Sequence, residues 1–389
     1  MRLHTGLDVL CSQDFAPLRG KSVGLVSHAA AVSSNLRTAA ELFTVASGIE
    51  LAALFGPEHG FASAAQDLEG VPDIRESSAT GVPIHSLYGD TVESLKPTPE
   101  QLRGLDLLVI DLQDVGSRYY TFQATMLYCL QACAEVGLPV WILDRPNPIG
   151  GTQVEGPSLR SAFKSFVGVH PICSRHGMTM GELAVLYRDE CVPDAKLTVV
   201  PCEEWNRSEA FSWWVPPSPN MPELKTAIVY PGICLVEGTN LSEGRGTTRP
   251  FEYIGFPGVD ANAIVSRLHS ERLEGVEFLP SSFRPCYQKH AGKTCGGIFL
   301  AVMDDRFRPV RTGLAVICAF RSLLGDKFQW RTETYEFVSH IPAIDLLFGS
   351  DRERLAIEAG VPWQEIAAAW EPEEAAFRER RKPYLLYEG

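Results

Sequence analysis

Short apolar runs without polar alternation recur through the first two hundred residues, and segments of helical spacing separate most of them. Residues 21–28 (KSVGLVSH), 49–55, 105–111 (LDLLVID), 138–143 (LPVWIL) and 197–202 read as strands, with 83–88 a shorter one. Helical spacing covers 35–47, opening on Asn35 as cap, then 121–136 and 179–190. A strand that is apolar on both faces has to be covered on both faces, so this series predicts an α/β fold with a Rossmann-like parallel sheet over residues 1–235. Further on, strands at 276–283 and 296–303 and helices at 260–272 and 309–324 no longer alternate, which predicts a smaller α+β domain over 236–389. The apolar run 226–236 reads as one more strand. The terminal run 371–381 sets Glu374 four residues before Arg378 and reads as a solvated helix face.

Composition narrows the function classes. At 389 residues, 45% hydrophobic and 21% charged, the chain is long enough for two domains. A net charge of −13 repels nucleic acid and anionic membranes, so neither is expected as a partner. No window reaches the length of a membrane span, and the first residues lack the apolar core of a signal peptide, so a cytoplasmic protein is expected. Ten cysteines lie scattered without a CxxC pair, which predicts buried, reduced thiols and neither a zinc site nor disulfides. No GxGxxG follows the first strand, so no dinucleotide is expected, nor any other cofactor or metal.

Chemistry gathers where the strands end. In Leu54-Phe55-Gly56-Pro57-Glu58-His59-Gly60-Phe61 the glycines and proline stop a strand and turn the backbone, presenting Glu58 and His59 at the carboxyl edge of the sheet. That edge is where open α/β sheets bind ligands, and a carboxyl held there can transfer protons. Later loops add Asp114, Arg118 and Tyr119, then Asp144, Arg145 and Asn147, then Arg175 and His176. Asp114 and Asp144 can equally cap helices or pair with Arg118 and Arg145. The proline-dense stretch 213–222 holds Asn220 and two indoles, which either stack on a sugar or close a domain seam. The polar loop 237–252 carries Asn240, Glu243, Arg245 and Arg249 among its glycines and reads as a substrate loop.

Taken together, GPEHGF at 56–61, DLQDVGSRYYT at 111–121, LDRPNPIGG at 143–151, VEGP at 154–157, RHGMTMGEL at 175–183, PPSPNMP at 216–222 and EGTNLSEGRGTTRPFE at 237–252 resemble the NamZ-type exo-β-N-acetylmuramidases. The resemblance implies a glycoside hydrolase acting on terminal N-acetylmuramic acid of peptidoglycan-derived amino-sugar oligosaccharides, with a catalytic glutamate in the Rossmann-like domain and a smaller domain that helps bind ligand. Glu58 maps to that glutamate and is expected to be the general acid, with His59 orienting it or the sugar. Its partner stays open among Asp114, Asp144 and Glu243, or an acetamido group of the substrate. The lactyl carboxylate calls for a guanidinium fork, expected from Arg245 or Arg249. A sugar receptor without catalysis, and an amidohydrolase with a metal near His59, Asp111, Asp114 and His176, are the alternatives.

Overall fold

A computed structural model describes residues 3–209 and 214–389. Its strands are β1 (Ser22–Ser27), β2 (Glu50–Gly56), β3 (Ile84–Ser86), β4 (Leu107–Asp111), β5 (Val140–Leu143), β6 (Glu155–Ser158), β7 (Cys173–Arg175), β8 (Leu197–Val200), β9 (Tyr253–Pro257), β10 (Val276–Phe283) and β11 (Cys295–Val302). Six of them form one parallel sheet in the order β3-β2-β1-β4-β5-β8, the doubly wound arrangement that the unalternated apolar runs predict. Chain order reverses between β1 and β4, and ligands bind such sheets beyond the strand ends at that point.

The second half contains an antiparallel sheet in the order β10-β11-β9, as expected of a smaller α+β unit. One continuous core joins the halves: Phe122, Met126 and Leu130 of the helix Phe122–Glu135 belong to the same buried cluster as Ile233, Leu314 and Ile344. Burial on all sides explains why that helix shows no polar face.

Four expectations need correction. Residues 226–236 form no strand; the chain runs as the helix Leu224–Ile233 and continues as a 3-10 turn, Cys234–Gly238. An unbroken apolar run fits a wholly buried helix as well as a buried strand. This helix crosses Pro309–Leu324 so closely that a Cβ on Gly232 would lie 1.7 Å from the Pro309 carbonyl oxygen. The first predicted helix starts later than Asn35, as Ala39–Val45, because Thr38 and Glu41 form a reciprocal capping box. Glu374 is buried, accepting from the Gly156 amide and the Arg311 guanidinium at 2.9 Å each, so the helix Glu371–Arg381 docks onto β6. Finally, all ten cysteines are free, but Cys286 is exposed.

Among the described residues no helix is long and apolar enough to cross a membrane. Trp213 lies outside the described residues, whereas the Trp214 indole N–H donates to the Met221 carbonyl at 3.0 Å.

Candidate active site

β2 ends at Gly56, where a Cβ would sit 2.7 Å from the Phe61 amide nitrogen, so only glycine lets the chain fold back this tightly. The Gly60 N–H closes a turn onto the Pro57 carbonyl at 2.9 Å. His59 takes the left-handed conformation, φ +69°, a sparsely populated state for a side-chain-bearing residue. Its Nδ1–H donates to the Ala65 carbonyl at 2.9 Å, which holds the loop in place. This frame buries Glu58, whose Oε2 accepts from the Thr121 hydroxyl at 2.5 Å. Thr121 directly precedes the helix Phe122–Glu135, so segments following β2 and β4 meet at one carboxyl group.

Behind them, at the end of β1, lies His28, whose Nε2 accepts the Gln113 N–H at 3.0 Å. Burial, followed by the Arg145 charge, pushes this imidazole down to about 3, so it stays neutral.

Glu58 and His59 line the same pocket. Tyr119, Tyr120 and Asp67 extend its wall, and the second half of the chain contributes Glu237, Arg245, Phe251, Tyr335 and Glu336. The Tyr119 hydroxyl donates to the Pro231 carbonyl, fixing that wall to the helix that leads into Glu237. Arg245 is the hub: it meets Glu237 at 2.7 Å, Asp67 at 3.3 Å and Glu243 at 3.6 Å, with its guanidinium 4.9 Å from the Phe251 ring. These acids outweigh burial and hold Arg245 charged. Burial pushes the Glu237 carboxyl up, but Arg245 prevails and holds it below its ordinary value. At Asp67 burial prevails over Arg245 and the carboxyl is raised. Glu336 is raised well above its ordinary value, by burial and then by the charge on Glu58.

Of the residues singled out in the sequence, Glu58, His59, Tyr119, Asn220 and Arg245 come together here. Asn220 bridges the loop after β2 to the second half, donating to Gln66 Oε1 at 2.9 Å and accepting from the Tyr287 hydroxyl at 2.6 Å. The others stand elsewhere, mostly in structural roles. Arg118, fully buried, donates to the carbonyls of Pro157, Ile172 and Leu347 at 2.8, 3.0 and 2.6 Å. Arg145 forms a bidentate pair with Asp111 and also donates to Val32.

Asp144 accepts from the Thr179 hydroxyl, the Gly181 amide and the Tyr387 hydroxyl, and burial raises it to about 6. Asp114 accepts the Gly116 N–H at 2.6 Å and lies 3.6 Å from His176 Nε2. Asn147 donates to the Met178 carbonyl, Arg175 to Gln153 and the Ile149 carbonyl, and Asn240 to the Lys327 carbonyl. Glu243 sits behind Arg245, bound to Lys289 at 2.9 Å. Arg249 is largely at the surface, paired with Glu223 at 2.8 Å. Among the described residues, no group of three His, Cys, Asp or Glu side chains is placed to hold a metal ion.

Sequence reasoning did not select Thr121, Asp67, Glu237, Tyr335 or Glu336. Thr121 and Glu237 stand inside motifs quoted above, within three positions of Tyr119 and Asn240, which were selected. Asp67 and Glu336 carry no local signal.

Family models described as "Exo-beta-N-acetylmuramidase NamZ, N-terminal" and "C-terminal" match residues 23–225 and 228–387. The chain is 43% identical to the peptidoglycan β-N-acetylmuramidase NamZ of Bacillus subtilis (strain 168) over 391 residues, covering 99% of this chain and 92% of that one. Two solved structures of DUF1343 family proteins from Bacteroides fragilis superpose with TM-scores of 0.90 and 0.79 at 30% and 31% identity, each covering 100% of this chain and 99% of the other.

Proposed function

The chain belongs to the exo-β-N-acetylmuramidase NamZ family, and from that premise we propose that it releases terminal N-acetylmuramic acid from the non-reducing ends of peptidoglycan fragments, with Glu58 as general acid. The observation that carries the role of Glu58 is its setting. It is a buried carboxyl on a strained turn, hydrogen-bonded to one hydroxyl, paired with no cation among the described residues, and lining the pocket. Such a group can protonate the leaving oxygen of a glycosidic bond as that bond breaks. In this reading residues 1–235 supply Glu58 and Thr121, and residues 236–389 complete the pocket with Glu237, Arg245 and Glu336. Arg245, the lining arginine among the described residues, is the guanidinium within reach of a lactyl carboxylate; Arg249 lies outside.

The test is turnover of a β-1,4-linked N-acetylmuramyl-N-acetylglucosamine disaccharide by the purified protein, with and without chelator, read as released N-acetylmuramic acid by mass spectrometry. Release at equal rates in both arms is expected. Binding without release would identify a sugar receptor, and loss of release with chelator a metal-dependent hydrolase.

A further inference from the structure

We propose that Glu336 is the second catalytic carboxyl of this pocket, the group that takes the proton of the attacking water; the inference rests on the glycoside-hydrolase reading above. Charge is unevenly distributed over the pocket. Asp67, Glu237 and Glu243 all meet Arg245, and Glu243 also meets Lys289, so each of these carboxyls has a cation beside it. Among the described residues Glu58 and Glu336 have no such partner. Each accepts one hydroxyl, Glu58 from Thr121 and Glu336 from Tyr88 at 3.1 Å. Two unmatched carboxyl groups in one buried pocket carry a large desolvation cost unless they hold a proton between them or face a positive charge. A glycosidic bond that breaks through an oxocarbenium-like transition state supplies that charge.

The backbone that carries Glu336 points the same way. Tyr335 and Val338 exchange N–H to carbonyl bonds at 3.0 and 2.9 Å, which makes Glu336 and Phe337 the central pair of a two-residue hairpin turn. Both take positive φ, +44° and +67°, a turn that ordinarily selects Asn-Gly or Asp-Gly. Glu and Phe are strained in that conformation. The surroundings impose it: Phe337 packs edge-on against Tyr88 with ring centroids 5.7 Å apart, and the Tyr335 hydroxyl donates to Glu237 Oε2 at 2.8 Å. The result is a 6% exposed carboxyl delivered into the pocket from the opposite half of the chain.

The pair begins with one proton. Glu58 gives it to the leaving oxygen as the C1–O bond breaks, and both carboxylates then face the positive anomeric centre. Water adds to C1 and passes a proton to Glu336, which restores the singly protonated pair and releases N-acetylmuramic acid. Burial and then the Glu58 charge push the Glu336 carboxyl well above its ordinary value, so the resting pair keeps one proton, and the form that reacts is the one that carries it on Glu58 with Glu336 ionised.

The experiment compares wild type, Glu336→Gln and Glu336→Ala on the disaccharide and on an aryl muramoside with a good leaving group. Glu336→Gln keeps the shape and an acceptor for Tyr88, and is expected to lose ~10²–10⁴-fold in kcat on both substrates, because a good leaving group replaces the acid and not the base. Azide is expected to restore turnover of the aryl muramoside by Glu336→Ala, with a muramyl azide as product. Glu336→Gln at wild-type kcat, or a folded Glu336→Ala that azide does not rescue, overturns the assignment. If Glu336→Ala does not fold, Glu336→Gln decides alone. Wild-type protein without turnover would defeat the glycosidase reading itself, a result distinguishable from an active Glu336→Gln.

Discussion

The Thr121 hydroxyl donates to Glu58 Oε2 at 2.5 Å, linking the segments that follow the two neighbours of β1. A hydrogen bond to a carboxylate is worth about 1.5–3 kcal/mol, and this one also fixes where the carboxyl points. Thr121→Val keeps the shape and removes the donor. Steady-state kinetics on the disaccharide should show kcat lowered by roughly 10- to 100-fold with KM little changed. A change confined to KM would mean that Thr121 serves binding alone.

Arg118 makes the opposite prediction. Its guanidinium is fully buried and serves three carbonyls from β6, the approach to β7 and the helix Ala343–Phe348. A lysine ammonium cannot span that fork, so Arg118→Lys leaves buried acceptors unmatched. Urea denaturation should show a loss of about 3 kcal/mol, while the folded fraction keeps its kcat. Lost activity at unchanged stability would return Arg118 to the site.

These two residues show what the sequence made legible. Apolar runs located every strand of the parallel sheet, and glycine and proline chemistry located the turn at Glu58. Convergence was legible for Glu58, His59, Tyr119, Asn220 and Arg245, but not the structural part that the other loop residues play. Arg118, Arg145, Asp144 and Arg175 sit in polar motifs because they tie loops together, and a buried clamp looks like a ligand in a one-dimensional reading. Glu336 was invisible for a different reason. Its position depends on two positive φ angles at residues that do not announce them, and on a partner, Tyr88, 248 positions away in sequence.

His28 predicts a pH dependence. Its folded value of about 3 lies below the ordinary 6.5, so the unfolded chain binds more protons between those limits. The stabilisation is complete at neutral pH and is lost as the pH falls from 6.5 toward 3, by on the order of 5 kcal/mol. Asp144, raised to about 6, contributes the reverse slope between 6 and 3.8, since there the folded chain binds more protons. Comparison with a variant removes that term: stability of His28→Gln, followed by chemical denaturation, should decline less steeply than wild type below pH 6.5. Parallel curves would show that His28 does not titrate with unfolding.

The most direct test of the account is Glu58→Gln. The turn that carries residue 58 is set by Gly56, Pro57 and Gly60, so the amide should leave the melting temperature almost unchanged. An amide cannot protonate a glycosidic oxygen, and kcat on the natural disaccharide should fall ~10²–10⁴-fold, with a smaller loss on an aryl muramoside whose leaving group needs no acid. Hydrolysis of the disaccharide at the wild-type rate by folded Glu58→Gln would contradict the assignment and make Glu58 structural.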